Sequence, residues 1–335
     1  MSSRSTLILT QSDIERLIDM RTAIRVIREA FKAQARGEAT MPPKVYLPLP
    51  RGSDFRAMPS ALRRPAVCGI KWVNVHPHNR RKGLPTVMGT VILNEASTGF
   101  PLAVMDGLSI TRLRTGAAAA VAIDVLARSR VTRAGLVGCG AQAFDQLLGL
   151  LQVRRVRQVK VWGHRPGEAA RFCRWATRRL PTSLVPVKTV RACIEEAEVV
   201  ITITPSHRPL VRREWVKPGT HLNAIGADAP GKQELDPKIL RDAVLVIDEA
   251  VQAIHGGEIN VPIAKGQLSH RDIDATLGDV LLGRAKGRTR DDQLTVFDST
   301  GLAVHDVALG YEVYRRARRL NVGQPVRLFH LRASR

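Results

Sequence analysis

The chain has 335 residues, 44% of them hydrophobic and 24% charged, a balance that excludes a disordered protein. That length exceeds one simple core and suits two domains, or one domain split around another. The net charge of +22 raises the question of nucleic acid, but the basic residues are scattered in pairs from Arg63-Arg64 to Arg318-Arg319. Aromatics are only 4% of the chain, so base-stacking platforms are scarce and a nucleic-acid partner is not expected.

The N-terminal apolar run is too short for a signal peptide and is followed at once by Gln11, Ser12, Asp13 and Glu15. Residues 11–36 read as one amphipathic helix, with Ser12 or Asp13 as its cap and Ile14, Leu17, Ile18, Ile24, Ile27 and Phe31 at helical spacing. From Val45 to Val91 the texture changes to short β-like runs, among them 45–47 and 69–73, broken by proline and glycine. Further strands are expected at 87–93 and 102–105, turned at Ser97-Thr98-Gly99. An alanine-rich helix over 114–127 then bridges into the next domain. The stretch 116–127 is short and interrupted by Asp124, so no membrane span is expected and the cytoplasm is the expected compartment.

From Val131 the alternation is βα, with strands expected at 134–137, 158–162, 199–204, 221–225 and 243–247 and helical stretches between them. Short apolar strands separated by helices imply a mostly parallel, doubly wound sheet of the Rossmann type. After Thr295-Val296-Phe297-Asp298 a last helix is expected over 301–319, returning to the first domain. Four cysteines without a CxxC pair argue against a disulfide framework and a structural zinc site, and His76-x-His78 has no third ligand at a recognisable spacing, so no metal is expected.

The turn Val137-Gly138-Cys139-Gly140-Ala141-Gln142-Ala143 follows an apolar strand and opens a helix. Gly138 permits the tight turn, Gly140 lets the backbone approach a pyrophosphate, and Ala143 allows close helix–strand packing. The phosphates of a dinucleotide then sit on the N–H groups of the helix N-terminus. The second strand should end with an acid for the ribose diol of NAD, but here it ends Val161-Trp162-Gly163-His164-Arg165. Arg165 either meets the 2′-phosphate of NADP or faces solvent, which leaves NAD or NADP open with NADP slightly favoured. Lys71 stands within an apolar strand, where an unpaired ammonium is expensive to bury, and this favours a site role for it.

Ordered segments along nearly the whole chain resemble the ornithine cyclodeaminase/mu-crystallin family, and within it the archaeal-type alanine dehydrogenases. They include Met41-Pro42-Pro43-Lys44, Arg56-Ala57-Met58-Pro59, Lys71-Trp72-Val73-Asn74, Gly83-Leu84-Pro85-Thr86, Leu113-Arg114-Thr115-Gly116, Gly226-Ala227-Asp228-Ala229-Pro230-Gly231-Lys232, Gly257-Glu258-Ile259-Asn260 and Phe297-Asp298-Ser299-Thr300-Gly301. The resemblance implies a Rossmann domain over 117–302 inserted into an α+β substrate-binding and dimerisation domain, formed by 1–116 and 303–335, and a homodimer. It implies Lys71 and Asp228 as the catalytic pair, with Lys44, Arg56 and Lys71 holding a substrate carboxylate. It further implies cofactor contacts from Thr86, Arg114, Ala141, Gln142, Thr204, Lys232 and Ser299 beside Gly138, Gly140 and Arg165. The implied activity is NAD(P)-dependent oxidation of an amino acid, alanine first, to an oxo acid and ammonia. A redox-neutral ornithine cyclodeaminase and a ketimine reductase are the alternatives. Glu258 has no role from its residue type alone.

Overall fold

The computed structural model describes residues 4–329, so the end of the expected C-terminal segment, 330–335, lies outside the described residues. The chain divides into two units. One contains the segments up to Val26, Arg36–Arg114 and from Leu302 onward; the other contains Ile27–Ala35 and Thr115–Gly301.

The first unit is built on an eight-stranded sheet. Its strands run in the order Gln324–Val326, Thr6–Leu9, Pro101–Asp106, Val87–Glu95, Val67–Val75, Ser53–Leu62 and Ala39–Thr40, and Val45–Leu49 also pairs with Ser53–Leu62. Most neighbours are antiparallel; Thr6–Leu9 and Pro101–Asp106 run parallel. Side chains alternate strictly along Ser53–Leu62, so that Arg56, Met58, Ser60 and Leu62 are all buried on one face. The register places Met58 opposite Lys71, Lys71 opposite Val91 and Val91 opposite Met105, a row across three adjacent strand pairs.

The helix Ala303–Leu320 covers that row. Gly310 has Met105, Leu93 and Val91 side-chain atoms 3.4–3.5 Å from where a Cβ would stand, so the helix backbone lies directly on the sheet. Its inner face buries Val304, Val307, Leu309 and Val313, each worth about 1.5–3 kcal/mol of burial. It ends where Asn321 turns left-handed at φ 53, with Arg318 and Arg319 in the last turn complementing the helix dipole.

In the second unit an eight-stranded parallel sheet runs Ser183–Pro186, Gln158–Trp162, Arg133–Val137, Val199–Thr202, His221–Ala224, Leu294–Asp298, Ala243–Ile247 and Ala275–Thr276. Strands are added on both sides of Arg133–Val137, the doubly wound Rossmann topology expected from the βα alternation, with Leu294–Asp298 inserted between His221–Ala224 and Ala243–Ile247. Apolar side chains on the two faces, including Leu136, Val159, Val161 and Ile201 on one side and Val200, Leu222, Leu245 and Val296 on the other, pack against flanking helices.

Several expected boundaries change. The helix expected over 11–36 is two helices, Gln11–Leu17 and Met20–Ala35, because Ile18 adopts an extended conformation and the Asp19 carboxylate accepts the Thr22 N–H to start a new helix. Thr10, not Ser12 or Asp13, caps the first of them, in a reciprocal capping box with Asp13. The alanine-rich helix begins at Gly107 rather than 114, since the Asp106 carboxylate accepts the N–H groups of Leu108 and Ser109. Among the described residues no helix is long and apolar enough to cross a membrane.

Candidate active site

In the first unit, Lys71 points from the strand Val67–Val75 into the layer beneath Ala303–Leu320 and is 1% exposed. The first turn of that helix brings Asp306, 0% exposed, to it: Lys71 Nζ stands 2.8 Å from Asp306 Oδ2. The other carboxylate oxygen accepts a bond from Arg114 Nε at 3.1 Å. Arg114 lies on the helix that starts at Gly107. That start is fixed by a close glycine–glycine approach: a Cβ on Gly107 would meet the Gly89 carbonyl carbon at 2.6 Å. One buried carboxylate thus joins two buried cations. Burial, then the charge of Arg114, push the Lys71 ammonium down to about 7, against the opposing pull of Asp306, and Lys44 adds to the lowering. Burial works against the Asp306 carboxylate, yet Lys71 and Arg114 outweigh it and hold its pKa below the ordinary range. His305, beside Asp306 in the chain, is buried and pushed down to about 3 by burial and by Arg114, so the ring is neutral.

Arg56 lies on the same sheet face, one row from Lys71, and is 7% exposed. Its guanidinium binds Asp54 through both carboxylate oxygens, at 2.9 and 3.1 Å, and sits 5.3 Å over the Tyr46 ring. Asp54 holds the fork in a fixed plane. Thr86 is half-buried on the loop before Val87–Glu95, where its carbonyl accepts the His76 N–H at 2.7 Å.

In the second unit, Gly138 follows the strand Arg133–Val137 with φ 108, a conformation that favours glycine, and a Cβ there would stand 2.7 Å from the Ile203 carbonyl oxygen. Gly140, by contrast, faces open space: nothing lies within 4 Å of its Cβ position. The helix Ala143–Val153 that follows has no side-chain cap, and Gln142 Oε1 is buried without a partner among the described residues. An uncapped helix N-terminus behind an open glycine leaves room and N–H donors for an anion, and these residues fit the pyrophosphate of a dinucleotide. Beyond the second strand a cavity of about 430 Å³ is lined by Trp162, His164, Arg165, Val187 and Lys188, with no carboxylate among its lining residues. The Glu168 carboxylate nearby accepts the Arg165 backbone N–H at 3.3 Å.

At the carboxyl edge of the same sheet, Asp228 pairs with Lys232, Oδ1 to Nζ at 2.5 Å, and the Asp228 side chain is 37% exposed. Thr204 is not left open: its N–H and its hydroxyl both donate to Glu234 Oε1 at 2.7 Å. Ser299 is buried, and its N–H bonds the Ala224 carbonyl at 3.0 Å.

What residue type alone did not reveal is the acidic frame that holds this edge. Glu234 accepts the Gly226 N–H at 2.8 Å, tying the loop that carries Asp228 to the loop after Val199–Thr202. Glu258 accepts the N–H groups of Glu234 and Leu235, at 2.9 and 2.6 Å, and Asp298 accepts those of Glu258 and Ile259, at 2.9 and 3.2 Å. Asn260 accepts from Gly231 N–H at 2.9 Å and donates to the Lys232 carbonyl at 2.9 Å, bracing the Asp228–Lys232 loop from behind. Burial, then the charge of Glu234, push Glu258 well above the usual carboxylate range, and burial pushes Asp298 up to about 8. The segment 257–260 is therefore a brace, which gives Glu258 the role its residue type left open.

The sequence profile of the ornithine cyclodeaminase/mu-crystallin family matches residues 4–321. An alanine dehydrogenase of Archaeoglobus fulgidus is 48% identical over 97% of this chain and 99% of its own length. An archaeal alanine dehydrogenase dimer with bound NAD superposes with a TM-score of 0.93 at 47% identity, covering 97% of this chain and 100% of that one. The Thermococcus litoralis Δ1-pyrroline-2-carboxylate reductase, solved with NADH and L-proline, gives a TM-score of 0.93 at 32% identity over 96% of this chain and 100% of that one.

Proposed function

The chain belongs to the ornithine cyclodeaminase/mu-crystallin family, and from that premise we propose that it is an NAD(P)-dependent amino-acid dehydrogenase whose substrate is L-alanine. The overall reaction is L-alanine, NAD(P)⁺ and water giving pyruvate, ammonium, NAD(P)H and a proton. The observation that carries the reading is Lys71, an ammonium buried to 1% exposure in an otherwise apolar row and held by Asp306. A buried cation costs folding energy and is retained where an anion is to be received.

In this reading the unit with the antiparallel sheet holds the substrate and the unit with the parallel sheet holds the dinucleotide. Lys71 receives the substrate carboxylate. Its pKa near 7 also suits it to give and take a proton at neutral pH. Lys44 and Arg56 supply further positive charge for that carboxylate, Arg56 as a fork already oriented by Asp54. Asp228 takes the proton of the amine and later activates the water that attacks the imine carbon. Gly138, Gly140, Ala141 and Gln142 hold the pyrophosphate, and Thr86, Arg114, Thr204, Lys232 and Ser299 complete the dinucleotide's surroundings. When bound, the nicotinamide accepts the hydride from the substrate Cα.

The test is turnover: purified protein with L-alanine should form NAD(P)H and pyruvate together, and with pyruvate plus ammonium should consume NAD(P)H. Proline formed from ornithine with no net absorbance change would sink the reading in favour of a cyclodeaminase, which recycles its cofactor.

For the choice of cofactor we favour NADP(H). The cavity after the second strand presents Arg165 and Lys188, and its lining offers no acid to repel a 2′-phosphate. One charge-assisted bond in such an exposed place is worth roughly 1.5–3 kcal/mol, or about ten- to a hundredfold in affinity. Arg165→Ala should weaken NADP(H) by about tenfold and leave NAD(H) unchanged in a fluorescence titration. A wild-type preference for NAD(H) that the substitution does not alter would end this assignment.

A homodimer is the expected assembly. Val45, Leu47 and Trp72 are 62, 50 and 39% exposed, an apolar surface on the first unit's sheet of the kind a second copy covers. A solution mass of twice 36.8 kDa is the expected measurement, and a monomer at micromolar concentration would contradict it. Four free cysteines fit a reducing compartment, which supports the cytoplasm.

A further inference from the structure

The second unit carries a cavity of about 800 Å³ at the edge of its sheet away from the glycine turn. Its walls are the loops that enter three neighbouring strands: residues 129–132 before Arg133–Val137, 153–157 before Gln158–Trp162, and Pro181 before Ser183–Pro186. The glycine turn leaves the other end of Arg133–Val137, a five-residue strand and so roughly 17 Å long. The two places are therefore separate.

Four arginines line this cavity: Arg130, Arg154, Arg155 and Arg157. Arg154 is structural, with 9% of its side chain exposed. It donates to the carbonyls of Ile123, Asp124 and Arg128 at 3.0 Å each and pairs with the Asp124 carboxylate at 3.1 Å. The opposite wall is equally fixed, since Glu198 accepts the Thr132 N–H at 2.6 Å and the Thr132 hydroxyl at 2.9 Å. The carboxylates that touch these walls are thus already engaged: Asp124 by Arg28 and Arg154, Glu198 by Arg128 and Thr132. Arg130, Arg155 and Arg157 are exposed, and their guanidiniums make no hydrogen bond or ion pair among the described residues, although the Arg157 backbone bonds Thr132 and Ser183. Three guanidiniums without a carboxylate partner thus border one concavity with fixed walls, a local surplus of positive charge that an anion would offset.

From this we infer that the cavity is a second anion site, for a chain of two or three linked phosphates, free or carried on a nucleotide. Planar guanidinium forks match phosphate oxygens two at a time, and three positive charges match a triphosphate. The volume is that of a small-ligand site, not of an extended nucleic-acid track. The inference does not depend on the dehydrogenase reading, because neither the glycine turn nor Lys71 contributes to it.

The test is calorimetric titration of inorganic triphosphate into the full-length protein at about 0.1 M salt, with excess NADPH present to occupy the glycine turn and the Arg165 cavity. Saturable binding is expected, weakened at least about tenfold in Arg155→Ala/Arg157→Ala. The control Arg318→Ala/Arg319→Ala removes the same charge elsewhere and should leave the affinity unchanged. ATP is titrated in parallel: equal affinity shows that the phosphates suffice, and tighter binding identifies a nucleotide. No saturable heat, equal weakening by the control pair, or tighter binding of a single-stranded oligonucleotide lacking terminal phosphates would each overturn the site.

Discussion

Lys71→Met and Asp228→Asn will each lower kcat by at least about 10²-fold, the loss typical of a positioned acid–base group, while dinucleotide binding survives. The two substitutions differ in what surrounds them. Methionine matches the length of the lysine stem and suits the apolar row formed by Met58, Val91 and Met105, so the unit keeps its packing. What disappears is the ammonium proposed to meet the substrate carboxylate. Asp228 is 37% exposed and its pairing with Lys232 contributes little to folding, so asparagine there removes the proposed base without disturbing the fold. Stopped-flow single turnovers with L-alanine separate the two: loss of Lys71 raises KM along with the fall in kcat, whereas loss of Asp228 falls mainly on kcat. Near-normal turnover in either variant would show that the catalytic pair is misassigned.

The Rossmann half of the molecule was legible because its signals are local. An apolar strand, a Gly138-x-Gly140 turn and a helix start lie within a dozen residues, and each βα unit repeats the same rhythm. Lys71 stood out for a related reason, a charge within a five-residue apolar run. The long strand Ser53–Leu62 was hidden by its composition: Ser53, Asp54, Pro59 and Ser60 read as loop, and only the register with Val67–Val75 makes them a strand. The partners of the site residues were hidden for a different reason. Asp54, Glu234 and Asp306 act through side chains whose neighbours are set by tertiary packing, and no residue pattern reports that. In the sequence Asp306 reads as an ordinary acid in the first turn of a helix, complementing the helix dipole. The break at Ile18 was equally silent, since isoleucine fits the helical periodicity and only Asp19, a capping residue inside an apparent helix, marks it.

Asp306 should prove the most costly position to change in the first unit. Its carboxylate is 0% exposed and is shared by Lys71 at 2.8 Å and Arg114 at 3.1 Å. Removing one member of a buried charge group leaves the others desolvated without compensation, a loss of about 3–5 kcal/mol. Asp306→Ala is therefore expected to lower Tm by roughly 10 °C, each kcal/mol being worth a few degrees in a unit of this size. Adding Lys71→Met to that variant should restore part of the loss, because the uncompensated ammonium is then gone, and the shortfall from additivity measures the coupling. A general defect of packing would give additive losses instead. Asp306→Asn keeps the shape and provides the kinetic readout. The Asp306 carboxylate raises the Lys71 pKa, so its neutralisation should move that pKa below its present value of about 7. The limb of the kcat/KM profile that reports Lys71 then shifts to lower pH. A stable Asp306→Asn enzyme with an unmoved pH profile would show that Asp306 does not position Lys71.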